Sequence, residues 1–187
     1  MPQPTPSRSG KRRRLAVVLP AIALATTAAF GGAAWSETVG PSGLPVPRFV
    51  SLKSDPVNLR KGPGRQYPKA WIFRRAGLPV EVVQEFEHWR RVRDAEGAEG
   101  WVYHALLSGR RTALIQPWEA RKGADAALTD LRTAARTGAA PIARLEAGTL
   151  TSVKSCTKSW CRVTAGQFTG YVQKHELWGV YPDEVIR

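Results

Sequence analysis

Val57-Asn58-Leu59-Arg60, Trp89-Arg90-Arg91-Val92-Arg93 and Gly100-Trp101-Val102-Tyr103 return later in the chain as Thr129-Asp130-Leu131-Arg132, Trp160-Cys161-Arg162-Val163-Thr164 and Gly170-Tyr171-Val172-Gln173. The offset is 72 residues at Leu59 and Leu131, 71 at Gly77 and Gly148, 71 at Trp89 and Trp160, and 70 at Gly100 and Gly170. A spacing that drifts by one at turns while strand-like blocks stay aligned marks one small domain written twice. Two diverged copies imply two binding surfaces or one composite surface, and they weigh against an enzyme.

The blocks between the repeats read as short strands. Val57–Arg60, Ala70–Arg74, Leu78–Glu85, Trp89–Asp94 and Trp101–Tyr103 are β-branched, aromatic or alternating, with Gly62-Pro63-Gly64, Gly77, Gly97 and Gly100 between them. His104-Ala105-Leu106-Leu107 suits one closing helical turn. Five or six such strands in about 60 residues predict a small β-barrel. The fold class is therefore all-β, two tandem small barrels. Each is near the lower size limit for independent folding, burying only about 60% of its unfolded surface, so the halves are expected to touch.

Residues 1–34 read as a secretory signal peptide: a basic run Lys11-Arg12-Arg13-Arg14, an uncharged apolar stretch Leu15–Phe30, then Gly31, Gly32, Ala33 and Ala34. The apolar stretch is 16 residues, short of the roughly 20 a membrane span needs; an uncleaved anchor is the alternative. Residues 35–47 are expected to be a flexible leader, 48–116 the first barrel, 117–123 a linker with Pro117 and Trp118 packing between domains, and 124–187 the second barrel with a C-terminal tail. The net charge is +13; five of the 28 basic residues lie in the signal, leaving 23 against 15 acids, or +8. That balance favours polyanionic partners or surfaces without naming one.

Cys156 and Cys161 flank what reads as a hairpin tip, Thr157-Lys158-Ser159-Trp160. In an exported chain a cross-hairpin disulfide is the expected state. Zinc would need ligands beyond two sulfurs, and His88, His104 and His175 have no metal spacing to them. No metal and no cofactor are expected.

Asn58-Leu59-Arg60-Lys61-Gly62-Pro63-Gly64, Tyr67-Pro68, Gly77, Val80-Glu81-Val82, Trp89-Arg90-Arg91-Val92 and Gly100-Trp101-Val102 together resemble the bacterial SH3 domain family. The resemblance covers roughly residues 50–107, with a weaker second match over 125–178. The second copy keeps Pro141, Gly148 and the repeated blocks but replaces the Gly-Pro-Gly loop with Thr133–Gly138 and has Tyr171 in place of Trp101. The resemblance implies two exported SH3-like barrels of a non-catalytic kind that binds peptidoglycan, its stem peptides or other envelope proteins, in the periplasm or elsewhere in the cell envelope.

No phosphate loop, dinucleotide fingerprint or zinc-protease motif occurs. Glu81, Glu85 and Glu87 read as solvated surface rather than an acid pair for glycoside cleavage, so no catalytic residue is assigned. Candidate ligand-binding residues are Tyr67, Tyr103, Trp71 and Trp89, whose rings would form a shallow groove, with Arg60 and Arg65 to hold a carboxylate. Tyr67 and Tyr103 are the preferred exposed rings, while Trp101 and Val102 are expected in the core. Two other partner classes fit the composition: another exported protein docked on an edge strand, and single-stranded nucleic acid on a basic barrel. The export signal argues against nucleic acid, and no stable membrane span is expected after cleavage.

Overall fold

The alternation along the repeated blocks becomes pleated strand, with Val57 and Leu59 turned inward and Asn58 and Arg60 outward. A computed structural model describes residues 38–119, 122–123 and 128–187. The signal-peptide assignment lies outside the described residues. In chain order the strands are β1 (Thr38–Val39), β2 (Pro45–Val46), β3 (Arg48–Leu52), β4 (Val57–Arg60), β5 (Lys69–Phe73), β6 (Pro79–Phe86), β7 (Trp89–Arg93), β8 (Glu99–Tyr103) and β9 (Leu107–Ser108). There follow β10 (Thr112–Ile115), β11 (Thr129–Arg132), β12 (Pro141–Leu145), β13 (Leu150–Cys156), β14 (Trp160–Ala165), β15 (Phe168–Gln173) and β16 (Leu177–Trp178). Single 3-10 turns at His104–Leu106 and Lys174–Glu176 lead into β9 and β16. Among the described residues no helix is long and apolar enough to cross a membrane.

Two seven-stranded antiparallel sheets result, ordered β5-β4-β8-β7-β6-β3-β9 and β12-β11-β15-β14-β13-β10-β16. Each strand of the second sheet stands where the strand seven places earlier stands in the first. Even the irregularities repeat: register slips fall at Leu59/Arg60 and Leu131/Arg132, and again at Val82/Gln84 and Val153/Ser155. Leu52, Val57, Leu59, Val80, Val82, Val92 and Val102 fill the first core, and Ile115, Leu131, Val153, Val163, Val172 and Leu177 the second. Gly100 and Gly170 lie where two strands cross closely. A Cβ on Gly100 would stand 2.6 Å from Leu59 Cγ and 2.8 Å from the Arg60 carbonyl oxygen, and Gly170 faces Leu131 and Arg132 in the same way. Only a residue without a side chain admits that approach.

Three expected boundaries change. Thr112–Ile115, expected at the end of the first barrel, pairs with β13 and β16 and belongs to the second sheet. The chain therefore crosses between sheets near Gly109–Arg111, and Pro117–Trp118 follows the first strand of the second barrel, with Trp118 exposed. The leader is not loose over its described part. β1 and β2 form a hairpin, and Ser42 between them donates its N–H and its hydroxyl to the Glu85 carboxylate at 2.9 and 2.8 Å.

Glu81 and Glu85 are buried, not solvated. Arg48 and Arg90 reach Glu85 Oε1 at 2.8 and 2.9 Å. Burial pushes the Glu85 carboxyl up, but the Ser42 N–H, the Arg48 guanidinium and the Ser42 hydroxyl outweigh it and hold the group below its ordinary 4.5. Glu85 pairs across the hairpin with Arg90, and the matching positions of the second sheet are Cys156 and Cys161, joined as the expected disulfide. The same inward cross-strand site is closed by an ion pair in one copy and a covalent bond in the other. Each also receives a terminal segment: the β1–β2 hairpin on Glu85, and on Cys156 the backbone of Ile186, with which it exchanges two hydrogen bonds.

The loop closed by the disulfide is short, so in the loop-entropy model it contributes only about 2 kcal/mol. Reducing it is expected to lower the unfolding free energy by that amount, with a lower urea midpoint, without unfolding the chain at 25 °C. Ser36–Arg187, which carries both sheets, is one compact unit, and its equilibrium denaturation with and without reductant measures the difference.

The two sheets meet as expected. Thr112 donates its hydroxyl to the Gly77 carbonyl at 2.7 Å, and Ser51 Oγ lies 2.7 Å from Thr112 Oγ1. The Phe49 ring packs on Trp178 (centroids 5.1 Å) and Tyr181 (4.8 Å). Tyr181 donates its phenol to Glu81 at 2.9 Å, and Arg93 Nε holds the other oxygen of that carboxylate at 3.0 Å. Burial, then the Glu81 charge, drives the Tyr181 phenol far above its ordinary 10, so it stays a donor. The tail is fixed further by Arg111 on Glu184 and by Lys174, whose ammonium donates to the Pro182 and Glu184 carbonyls.

Candidate functional site

The β4–β5 hairpin of the first barrel carries the richest exposed chemistry. Its loop is braced from inside: Arg60 donates to the carbonyls of Arg65 and Tyr67 at 2.9 and 2.7 Å. Both bonds come from Arg60 Nη1, so one side of its guanidinium is engaged by its own loop. Arg132 repeats the device, donating to the Ala139 carbonyl at 2.8 Å, which explains why this arginine occurs in both copies. The Tyr67 ring lies flat over Gly62, where a Cβ would come within 2.5 Å of it. With the loop held this way Lys61, Arg65, Tyr67, Lys69 and Trp71 are all exposed, and neither Lys61, Arg65 nor Lys69 makes an ion pair with a described residue.

The six candidate residues do not form one groove. Arg60, Arg65 and Tyr67 gather at the loop. Trp71, 62% exposed, lies opposite Leu59 and lines an open hollow with Ile72, Phe73, Arg74 and Leu78. Trp89 and Tyr103 stand together in a third place, with ring centroids 5.6 Å apart. There Trp89 is buried and unavailable as a contact surface, because Tyr103 packs edge-on against it and His88 and His104 pack around Tyr103 at 6.1 and 5.0 Å. Val102 is in the core as expected, whereas Trp101 is half-exposed on the outer face beside Tyr103. Large aromatic mass alone does not distinguish the two; the alternation around buried Gly100 and Val102 does.

That outer face holds a pattern missed from sequence. Arg60, Trp101 and Arg91 are direct partners across β4, β8 and β7, and Arg132, Tyr171 and Arg162 are direct partners across β11, β15 and β14. Both copies therefore present an arginine–aromatic–arginine row, with Trp89 or Trp160 two residues from the outer arginine. The signal was legible in the repeat itself, since these are among the residues written twice.

The β4–β5 hairpin shows the opposite history. By register and loop hydrogen bonds, Lys61, Arg65, Tyr67, Lys69 and Trp71 correspond to Thr133, Thr137, Ala139, Pro141 and Ala143. None of these five positions keeps its cation or ring in the second copy, whose hairpin instead exposes Arg136 and Arg144.

A family model described as the bacterial SH3 domain matches residues 53–109 and 126–179. No curated protein matches the chain. Among solved structures, NlpC2 from Trichomonas vaginalis is similar at 11% identity and a TM-score of 0.31, over 71% of this chain and 48% of that one. NlpC1 from the same organism is similar at 10% identity and a TM-score of 0.32, over 75% of this chain and 48% of that one. The chain thus spans about half the length of each. The two matched segments carry six of the seven strands of each sheet, all but β3 and β10, and together cover more than half of the residues: the chain belongs to the bacterial SH3 domain family and carries the domain twice.

Proposed function

We propose that this is an exported, non-catalytic binding protein of the cell envelope, whose first barrel takes hold of peptidoglycan through the β4–β5 hairpin. One observation carries the reading: on a bacterial SH3 barrel, the unpaired cations Lys61, Arg65 and Lys69 stand exposed beside Tyr67 and Trp71, and only in the copy that keeps the Gly-Pro-Gly loop. Rings offer an apolar face to sugars and peptide side chains, and cations orient carboxylates. Export rests on the signal-like sequence of residues 1–34. The absence of catalysis is supported by the state of the groups that would carry it: both cysteines are spent in the disulfide, and Glu81 and Glu85 are held by arginines.

Pelleting the Ser36–Arg187 unit with purified, protein-free sacculi tests the reading. Binding is expected to persist at physiological salt, where attraction from net charge alone is screened beyond about 8 Å. Trp71→Ala and Tyr67→Ala are each expected to weaken it roughly tenfold, as for exposed aromatic anchors in other interfaces, with the denaturation midpoint little changed for Trp71→Ala. A protein that stays in the supernatant, or pellets only at low salt, points to a protein partner instead.

A further inference from the structure

The outer-face rows are preserved in both copies but differ in one place. In the first barrel Arg91 is satisfied internally: its guanidinium meets the Glu99 carboxylate, 2.8 Å away, on the neighbouring strand. Glu99, at the start of β8, pairs with Arg93, and the matching position near the start of β15 is Thr169, paired with Thr164. A hydroxyl replaces the carboxylate, and Thr169 Oγ1 shares a 2.9 Å hydrogen bond with Thr164 Oγ1 instead. Arg162, which takes the place of Arg91, is exposed and makes no ion pair with a described residue. Its row partner Arg132 is already committed to Asp130 and the Ala139 carbonyl.

We infer that the outer face of the second barrel is a separate carboxylate-binding site, with Arg162 holding the carboxylate and Tyr171 and Trp160 flanking it. The first barrel supplies the precedent, because there the same row carries a carboxylate of the protein itself. Loss of Glu99 in the second copy leaves the arginine to an external one. Tyr171 is the direct cross-strand partner of Arg162 and Trp160 lies two residues before it on the same face. Cross-strand partners stand with Cβ atoms about 4.5–5.5 Å apart, close enough for a ligand on the guanidinium to touch the phenol ring. The second barrel has thus lost the hairpin site of the first and opened a different one.

The identity of the carboxylate rests on the wall-binding reading: it is the C-terminal carboxylate of a stem peptide. The test follows the Arg162 Nε–Hε resonance in the Ser36–Arg187 unit during titration with N-acetyl-D-alanyl-D-alanine, its C-terminal amide and inorganic phosphate. The free acid is expected to shift the resonance with saturation, and the amide to leave it unmoved. Thr169→Glu rebuilds the internal pair of the first barrel without disturbing the core, and is expected to weaken binding at least tenfold. Arg162→Lys keeps the charge but loses the planar fork and is expected to cost a similar factor. Equal shifts by the amide, equal affinity for phosphate, or binding that survives Thr169→Glu would each overturn the inference. If the protein pellets with sacculi while Arg162 ignores the free acid, this inference falls and the wall reading stands. If Arg162 responds but sacculi are not bound, the carboxylate site stands and the wall reading falls.

Discussion

Glu85→Ala is expected to remove about 3–5 kcal/mol of stability, the usual cost of taking one partner from a buried ion pair. The Glu85 side chain is fully enclosed, and three groups converge on its two oxygens: Arg48, Arg90 and Ser42. Removing it strands two guanidinium groups that are only 16% and 11% exposed. It also loosens the β1–β2 hairpin, which loses both Ser42 bonds and keeps, among the described side-chain bonds to the barrel, the Arg48 donation to the Pro45 carbonyl. A loss of that size is a large share of the 5–15 kcal/mol that holds a typical domain. Urea denaturation of Glu85→Ala against wild type measures it; a change below about 1 kcal/mol would mean that the clasp is incidental.

The same group sets an acid limit. Because its folded pKa is depressed below the unfolded 4.5, the stabilisation is fully present above that value and is lost as pH falls through the folded pKa. Glu184 adds in the same direction: burial raises its carboxyl, but the Arg111 guanidinium and the Tyr181 N–H outweigh burial and hold it low. Wild type is therefore expected to lose stability steeply below about pH 4.5, and Glu85→Gln to show a shallower slope there from a lower plateau at neutral pH.

Much of the fold was legible because a duplicated alternation constrains itself. Leu59 and Leu131, Val92 and Val163, and Val102 and Val172 had to be inward in both copies, and they are. What escaped the sequence depends on contacts between distant segments. Nothing local in Pro79–Phe86 says that Glu81 and Glu85 are buried; their partners Tyr181, Arg48 and Ser42 lie far away in the chain. Thr112–Ile115 carries no mark of which barrel it joins, since an edge of either sheet would accept a short apolar strand. The candidate site was half legible for a related reason. Exposure of Tyr67 follows from its place in a Gly-Pro-Gly loop, but Trp89 and Trp101 exchange their expected roles according to strand phase and the rings that cover them. The arginine–aromatic–arginine rows were within reach of sequence, because residues repeated on the polar side of an alternating strand have no core to explain them.

The position expected to be least tolerant was invisible in the sequence. Gly179 follows β16 at φ +122, in a backbone conformation that L side chains rarely adopt. A Cβ there would be driven into the Thr112 carbonyl oxygen, stand 2.9 Å from the Ala113 Cα, and press on Pro79 of the first barrel at 3.2 Å. Two of those atoms are backbone and have no rotamer by which to yield. Arg111 donates to the Gly179 carbonyl at 2.8 Å, so a shift of this residue would also disturb the clamp on Glu184. Gly179→Ala is expected to cost about 3–5 kcal/mol, combining backbone strain with overpacking. Because Gly179 touches β10 and Pro79 together and sits between Trp178 and Tyr181, the damage should fall on the coupling of the barrels. Calorimetry of the wild-type Ser36–Arg187 unit is expected to give one transition, and of Gly179→Ala two. The control is Gly109, which occupies the corresponding place after β9 and faces open space. Gly109→Ala should stay within about 0.5 kcal/mol of wild type. Equal effects of the two substitutions would overturn this expectation, because Gly179 differs from Gly109 both in its φ of +122 and in the close approach of β10 and Pro79.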